Sequence, residues 1–121
     1  MRVLHVTPYF APAFRYGGPP RSILGLCQAL MRADVDVEVI TTTANGDDPL
    51  PASPEGMEYD GVRVRYLPLA FPKRYWRASG VTAALDHALP HVDLVHVHGL
   101  WHLLGAAAVT RTRAAGRTVD P

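Results

Sequence analysis

Two stretches of the chain carry residue types that could do chemistry. The first is "PYFAPAFRYGGPPRSILGLCQAL", in which Gly17 and Gly18 stand between an aromatic loop and a run with helical periodicity. Glycine has no Cβ, so it takes positive φ and lets a ligand approach the backbone closely. A helix N-terminus presents unpaired N–H groups and the positive end of the helix dipole, which suits a phosphate. Gly17 and Gly18 therefore fit a contact to a diphosphate or a sugar; the plain alternative is a turn between strand and helix. Neither G-x-G-x-x-G nor G-x-x-x-x-G-K-[ST] occurs here, so neither a dinucleotide fingerprint nor a P-loop is supported.

The second stretch is "HVDLVHVHGLWH". His96 and His98 are two apart on a strand-like run, which turns both to one face. His91, His96, His98 and His102 raise the question of zinc, for which imidazole is a common ligand. Their spacing matches no standard zinc motif and no cysteine lies close in sequence, so no metal is expected, and no catalytic residue is assigned. His98 and Gly99 fall at the carboxyl end of the strand. There they would face the same crevice as the glycine pair, making a polar contact to a substrate hydroxyl or a structural hydrogen bond. His96 reads as a satisfied core histidine.

The elements that would position these residues follow from periodicity. "RVLHVT" reads as a buried strand ended by Pro8, and residues 20–32 carry Ile23, Leu26, Cys27 and Leu30 on one helical face. "DVEVITT" is a second strand, and residues 44–56 form a proline-rich surface loop. Asp60-Gly61 marks a hairpin whose second arm, "VRVRYL", alternates like a half-exposed or edge strand. "VTAALDHAL" is a short helix before Pro90, "DLVHVHG" a strand, and "LWHLLGAAAVTRTRAAG" a helix capped by Gly116. A further strand could begin at Thr118; without one, the apolar edge of "DLVHVHG" would be exposed. Alternating strands and helices imply an α/β, Rossmann-like, mostly parallel sheet with helices on both faces. Ligands of such sheets bind outside the carboxyl ends of the strands.

Composition bounds the function. The 121 residues fit one domain, and a net charge of +1 supplies no electrostatic case for nucleic acid. One cysteine excludes an internal disulfide framework, and Cys27 reads as a small buried hydrophobe. The N-terminus is not a signal peptide and no window reaches the ~18 apolar residues of a membrane span, so the expected setting is cytoplasmic. "FPKRYWRASG" mixes aromatic and basic residues, which leaves open an acceptor or lipid-headgroup surface beside the plainer reading of a solvated loop.

Taken in order, "RVLHVTPYFAPAFRYGGPPRSILGLCQAL", "DVEVITT", "YDGVRVRYLP" and "DLVHVHGLWHLLGAAA" resemble the N-terminal domain of family 4 glycosyltransferases of the GT-B fold. The resemblance implies retaining transfer of a sugar from a nucleotide-sugar donor to a glycan or lipid-linked acceptor, with no cofactor. It places Gly17 and Gly18 near the donor diphosphate, and His98 and Trp101 toward the acceptor. The family's second domain, with its phosphate-binding basic residues and E-x7-E glutamates, has no counterpart here. The expectation is a single, incomplete domain over residues 1–121, inactive alone, whose partner is a donor-binding domain or subunit. The alternative is a non-catalytic binding subunit that docks with a separate donor-binding chain.

Overall fold

The computed structural model describes residues 1–70, 77–99 and 103–120. Strand β1 (Arg2–Val6) leads through a short 3₁₀ turn at Phe14–Tyr16 into helix α1 (Gly18–Arg32). Strands β2 (Asp36–Thr42), β3 (Ser53–Tyr59) and β4 (Val62–Leu67) follow, then helix α2 (Val81–Ala88), with a 3₁₀ turn at Leu89–His91. Strand β5 (Leu94–Val97), helix α3 (Leu103–Ala114) and strand β6 (Thr118–Asp120) complete the order. No described helix is long and apolar enough to cross a membrane.

The six strands form one sheet in the order β3-β4-β2-β1-β5-β6. Every neighbouring pair is parallel except β3 and β4. Strand residues alternate between faces, so the apolar runs of β1, β2 and β5 must be covered twice. Leu4, Val6, Ile40, Val95 and Val97 pack with Leu85, Leu89, Leu104 and Ala108 of α2, the turn after it, and α3. On the opposite face Val39, Val62, Val64 and Tyr66 pack with Ile23 and Cys27 of α1 and with Phe10 and Ala11 of the preceding loop. Helices on both faces of a mostly parallel sheet make a Rossmann-like α/β fold, as the alternation of elements implied.

Local signals set several boundaries. Asp60 and Gly61 both take positive φ (45° and 83°), the backbone of a two-residue hairpin turn that matches strand twist. Helix α3 ends as expected at Gly116 (φ 72°), where Arg117 N–H donates to the Thr112 carbonyl at 3.0 Å. Helix α1 ends the same way with Asp34 (φ 64°) in the glycine position, Val35 N–H donating to the Leu30 carbonyl at 3.0 Å.

Four expectations are corrected. Strand β4 lies inside the sheet and β3 is the edge, so Val62 and Val64 are buried, and Arg65 is buried against Glu38 at 3.2 Å rather than facing water. The surface loop ends earlier than residue 56, because Ser53–Gly56 belong to β3; an edge strand tolerates Pro54 and Gly56, and the register shifts between Ser53 and Met57. Leu26 is exposed. At 100° per residue the stripe made by Pro20, Ile23, Leu24 and Cys27 is centred roughly 100° from Leu26, and this stripe is the one that meets β2 and β4. Finally, the edge of β5 is paired with β6, which removes the exposed edge.

Candidate functional site

Strands β1, β2, β4 and β5 run parallel, so their carboxyl ends share one rim of the sheet. Each end is tied to its neighbour. Thr7 N–H donates to the Ile40 carbonyl at 3.1 Å, Thr43 N–H to the Leu67 carbonyl at 3.0 Å, and His98 N–H to the Val6 carbonyl at 2.8 Å. The turns that leave β1 and β5 therefore start side by side, and they carry Gly17 and Gly18 on one and His98 and Gly99 on the other.

The β1–α1 loop is held by its aromatic residues. Phe10, Ala11 and Ala13 are buried, and the Thr42 hydroxyl donates to the Pro8 carbonyl at 2.6 Å. The Tyr66 hydroxyl donates to the Ala11 carbonyl from the inner strand β4. The Tyr9 ring lies 4.5 Å from that of Tyr16, tilted by 34°, and the Tyr16 hydroxyl accepts the Gly46 N–H at 2.8 Å. The Arg15 side chain lies against Gly46, and the Arg21 guanidinium sits 4.3 Å over the Phe14 ring. The β2–β3 loop thus braces the loop that leads to the glycines.

Gly17 is the N-cap of α1, at φ 87° and ψ −134°, a conformation essentially reserved for glycine. Gly18 is the first helical residue. Both are exposed, and a Cβ at either would meet nothing within 4 Å, so this backbone is open to an approaching group. The first turn is poorer in donors than a helix start usually is. Pro19 and Pro20 have no N–H, and Gly17 N–H is used by the Phe14 carbonyl. Gly18 N–H and the positive end of the helix dipole are what the backbone here offers an anion.

On the β5 side, Gly99 is exposed with φ 84°, and His98 is half-buried. Trp101 and His102 lie outside the described residues, as does most of the "FPKRYWRASG" stretch. His91 is at the opposite end of β5, its ring 6.4 Å from that of His87, and takes no part in the rim. His96 and His98 do share a face, their rings stacked at 4.0 Å. His96 is half-buried rather than a core residue, because that part of the α1 side of the sheet is only partly covered.

The residue that sequence reading passed over is His5. It is 1 % exposed, and its Nδ1 lies 2.9 Å from His98 Nε2. A histidine inside the otherwise apolar run "RVLHV" was the available signal. Burial, followed by the neighbouring imidazoles, holds His5 down to about 4. Burial does the same to His98, lowering it to about 4, against a smaller raising effect of Asp120. Both rings are uncharged at neutral pH, so across the 2.9 Å contact one donates its N–H to the lone pair of the other. One ligand nitrogen from each of His5, His96 and His98 lies within 4.8 Å of the others.

A family model described as a glycosyl transferase 4-like domain matches residues 17–119. No curated protein matches the chain.

Proposed function

Because the chain belongs to the glycosyl transferase 4-like domain family, we propose that the rim formed by the β1 and β5 turns is one wall of a site for retaining glycosyl transfer. The donor is a nucleotide-sugar and the acceptor a glycan or a lipid-linked sugar. The observation that carries this reading is the adjacency of the two turns, anchored by the His98–Val6 backbone bond.

In this reading Gly17 and Gly18 admit the donor diphosphate to the backbone. Its charge meets Gly18 N–H and the positive end of α1. His98 and Gly99 face the acceptor side, His98 supplying a polar contact to a sugar hydroxyl. Transfer also needs charge stabilisation on the departing diphosphate and exclusion of water, which come from groups converging on both sides of the reacting sugar. A donor-binding domain or subunit supplies the second wall, and the chain alone does not turn over. A cytoplasmic setting, at the inner membrane face where the acceptor is lipid-linked, goes with this reading.

The test is an NMR titration of ¹⁵N-labelled chain with uridine and guanosine diphosphate sugars, run beside a transfer assay. Shift changes centred on the amides of Gly17, Gly18 and Gly99, without turnover, are expected. Changes confined to the other end of the sheet, or none at all, would sink the assignment. Turnover by the purified chain would sink the one-wall reading.

A further inference from the structure

Three imidazoles from two adjacent strands converge beside the rim. His5 and His96 are cross-strand partners in the parallel ladder, and His98 follows two residues later on the same face. Their ring centroids are 4.0 Å (His96–His98), 5.1 Å (His5–His98) and 5.4 Å (His5–His96) apart. In a tetrahedral zinc site, bonds of about 2.0–2.1 Å to nitrogen set the ligand nitrogens roughly 3.3 Å from one another. His5 Nδ1 and His98 Nε2 are 2.9 Å apart, and all three ligand nitrogens fall within 4.8 Å. An ion bound here requires the half-buried His96 and His98 rings to turn until the set reaches that spacing.

Two further features point the same way. His5 is buried and its Nδ1 already meets His98 Nε2, so coordination through Nδ1 gives up a contact to a residue that is itself one of the three. On the next strand Asp120 stands in register with His96, which places an acidic residue at the edge of the cluster. Metal-bound imidazoles commonly have such a carboxylate close by, as a further ligand or an outer partner.

We propose that His5, His96 and His98 form a binding site for a divalent transition-metal ion of the zinc class, with Asp120 as a carboxylate at its edge. Three imidazoles suit zinc, copper or nickel rather than magnesium or calcium. Partial exposure of His96 and His98 leaves a further coordination position open to water or a small anion. The site rests on the histidine geometry and does not depend on glycosyl transfer.

The experiment uses tag-free chain stripped with chelator and titrated with Co²⁺ and then Zn²⁺, followed by visible absorption and calorimetry. Stoichiometric binding is expected, with the absorption band of low-coordinate cobalt bleached by zinc. His96→Gln and His98→Gln, each checked for native circular dichroism, should weaken binding at least about tenfold. The double variant His87→Gln/His91→Gln, which removes the other histidine pair, should bind as the parent does. Absence of saturable binding, binding that survives both ligand variants, or binding lost with His87 and His91 would overturn the site.

Discussion

The backbone N–H of His98 donates to the carbonyl of Val6 at 2.8 Å. This bond continues the β1–β5 ladder one step past the end of β5, so the turns after both strands leave from the same point on the rim. Residues more than ninety positions apart thereby become neighbours, and the loops that carry the glycine pair and the histidine pair start from one edge of the sheet.

The two glycines should respond differently to alanine. Gly17→Ala forces a Cβ onto φ 87° and ψ −134° and should cost about 1–3 kcal/mol, all of it backbone strain, since nothing lies within 4 Å to clash. Gly18→Ala places a good helix former in the first turn and should change stability by no more than about 0.5 kcal/mol. Urea denaturation of both variants checks the contrast. The Gly18 variant, still folded, then shows what a single methyl does to nucleotide-sugar binding.

Arg65 and Glu38 form a buried pair, Nε to Oε1 at 3.2 Å, and Arg65 Nη1 also donates to the Pro54 carbonyl at 2.8 Å. Glu38→Gln or Arg65→Met alone strands the other charge in the interior and should cost about 3–5 kcal/mol. Glu38→Gln with Arg65→Met removes both charges and should cost less than the two single changes added together. A double-mutant cycle measured by denaturation decides it; strictly additive losses would contradict the pairing.

Stability should fall at alkaline pH. Burial pushes the Cys27 thiol up from 9.0 to about 12, and burial, then the charge of Tyr59, raises Tyr66 above its usual 10.0. Both folded-state values lie above the unfolded ones, so the native state favours the neutral forms. Their contribution is complete below about pH 9 and is lost as pH rises from there toward 12. Melting temperatures across that range should show the decline, with a shallower slope in Cys27→Ala. Alkylation of Cys27 at neutral pH should proceed only at the rate at which the fold opens.

Tyr66→Phe keeps the ring but leaves the Ala11 carbonyl without its hydroxyl donor. The loss should be about 1–3 kcal/mol, because the site is buried. Amide exchange should quicken through residues 9–17. Tyr16→Phe removes a bond to the exposed Gly46 N–H, which water can replace, and should cost much less.

Much of the framework is legible in local pattern. The apolar periodicity of α1, the Asp60-Gly61 turn, the Gly116 cap and the burial of Cys27 each depend on residues a few positions apart. The misplacements have one cause. "VRVRYL" alternates as an edge strand would, and only pairing with β2 brings Glu38 opposite Arg63 in register and within reach of Arg65, allowing Arg65 to be buried. Leu26 satisfied a helical pattern, yet the face that meets the sheet is centred elsewhere.

The chain's own order of residues settled which segments become strands and helices and where several of them stop, because steric preference and hydrophobic period act over one or two turns of chain. Folding in three dimensions decided that β1 neighbours β5, that His5 meets His98 across 93 residues, and that Asp120 comes level with His96. Those contacts depend on strand order and register. Both are chosen by burial of the whole sheet between α1 on one side and α2 and α3 on the other, and no short window of sequence contains that choice.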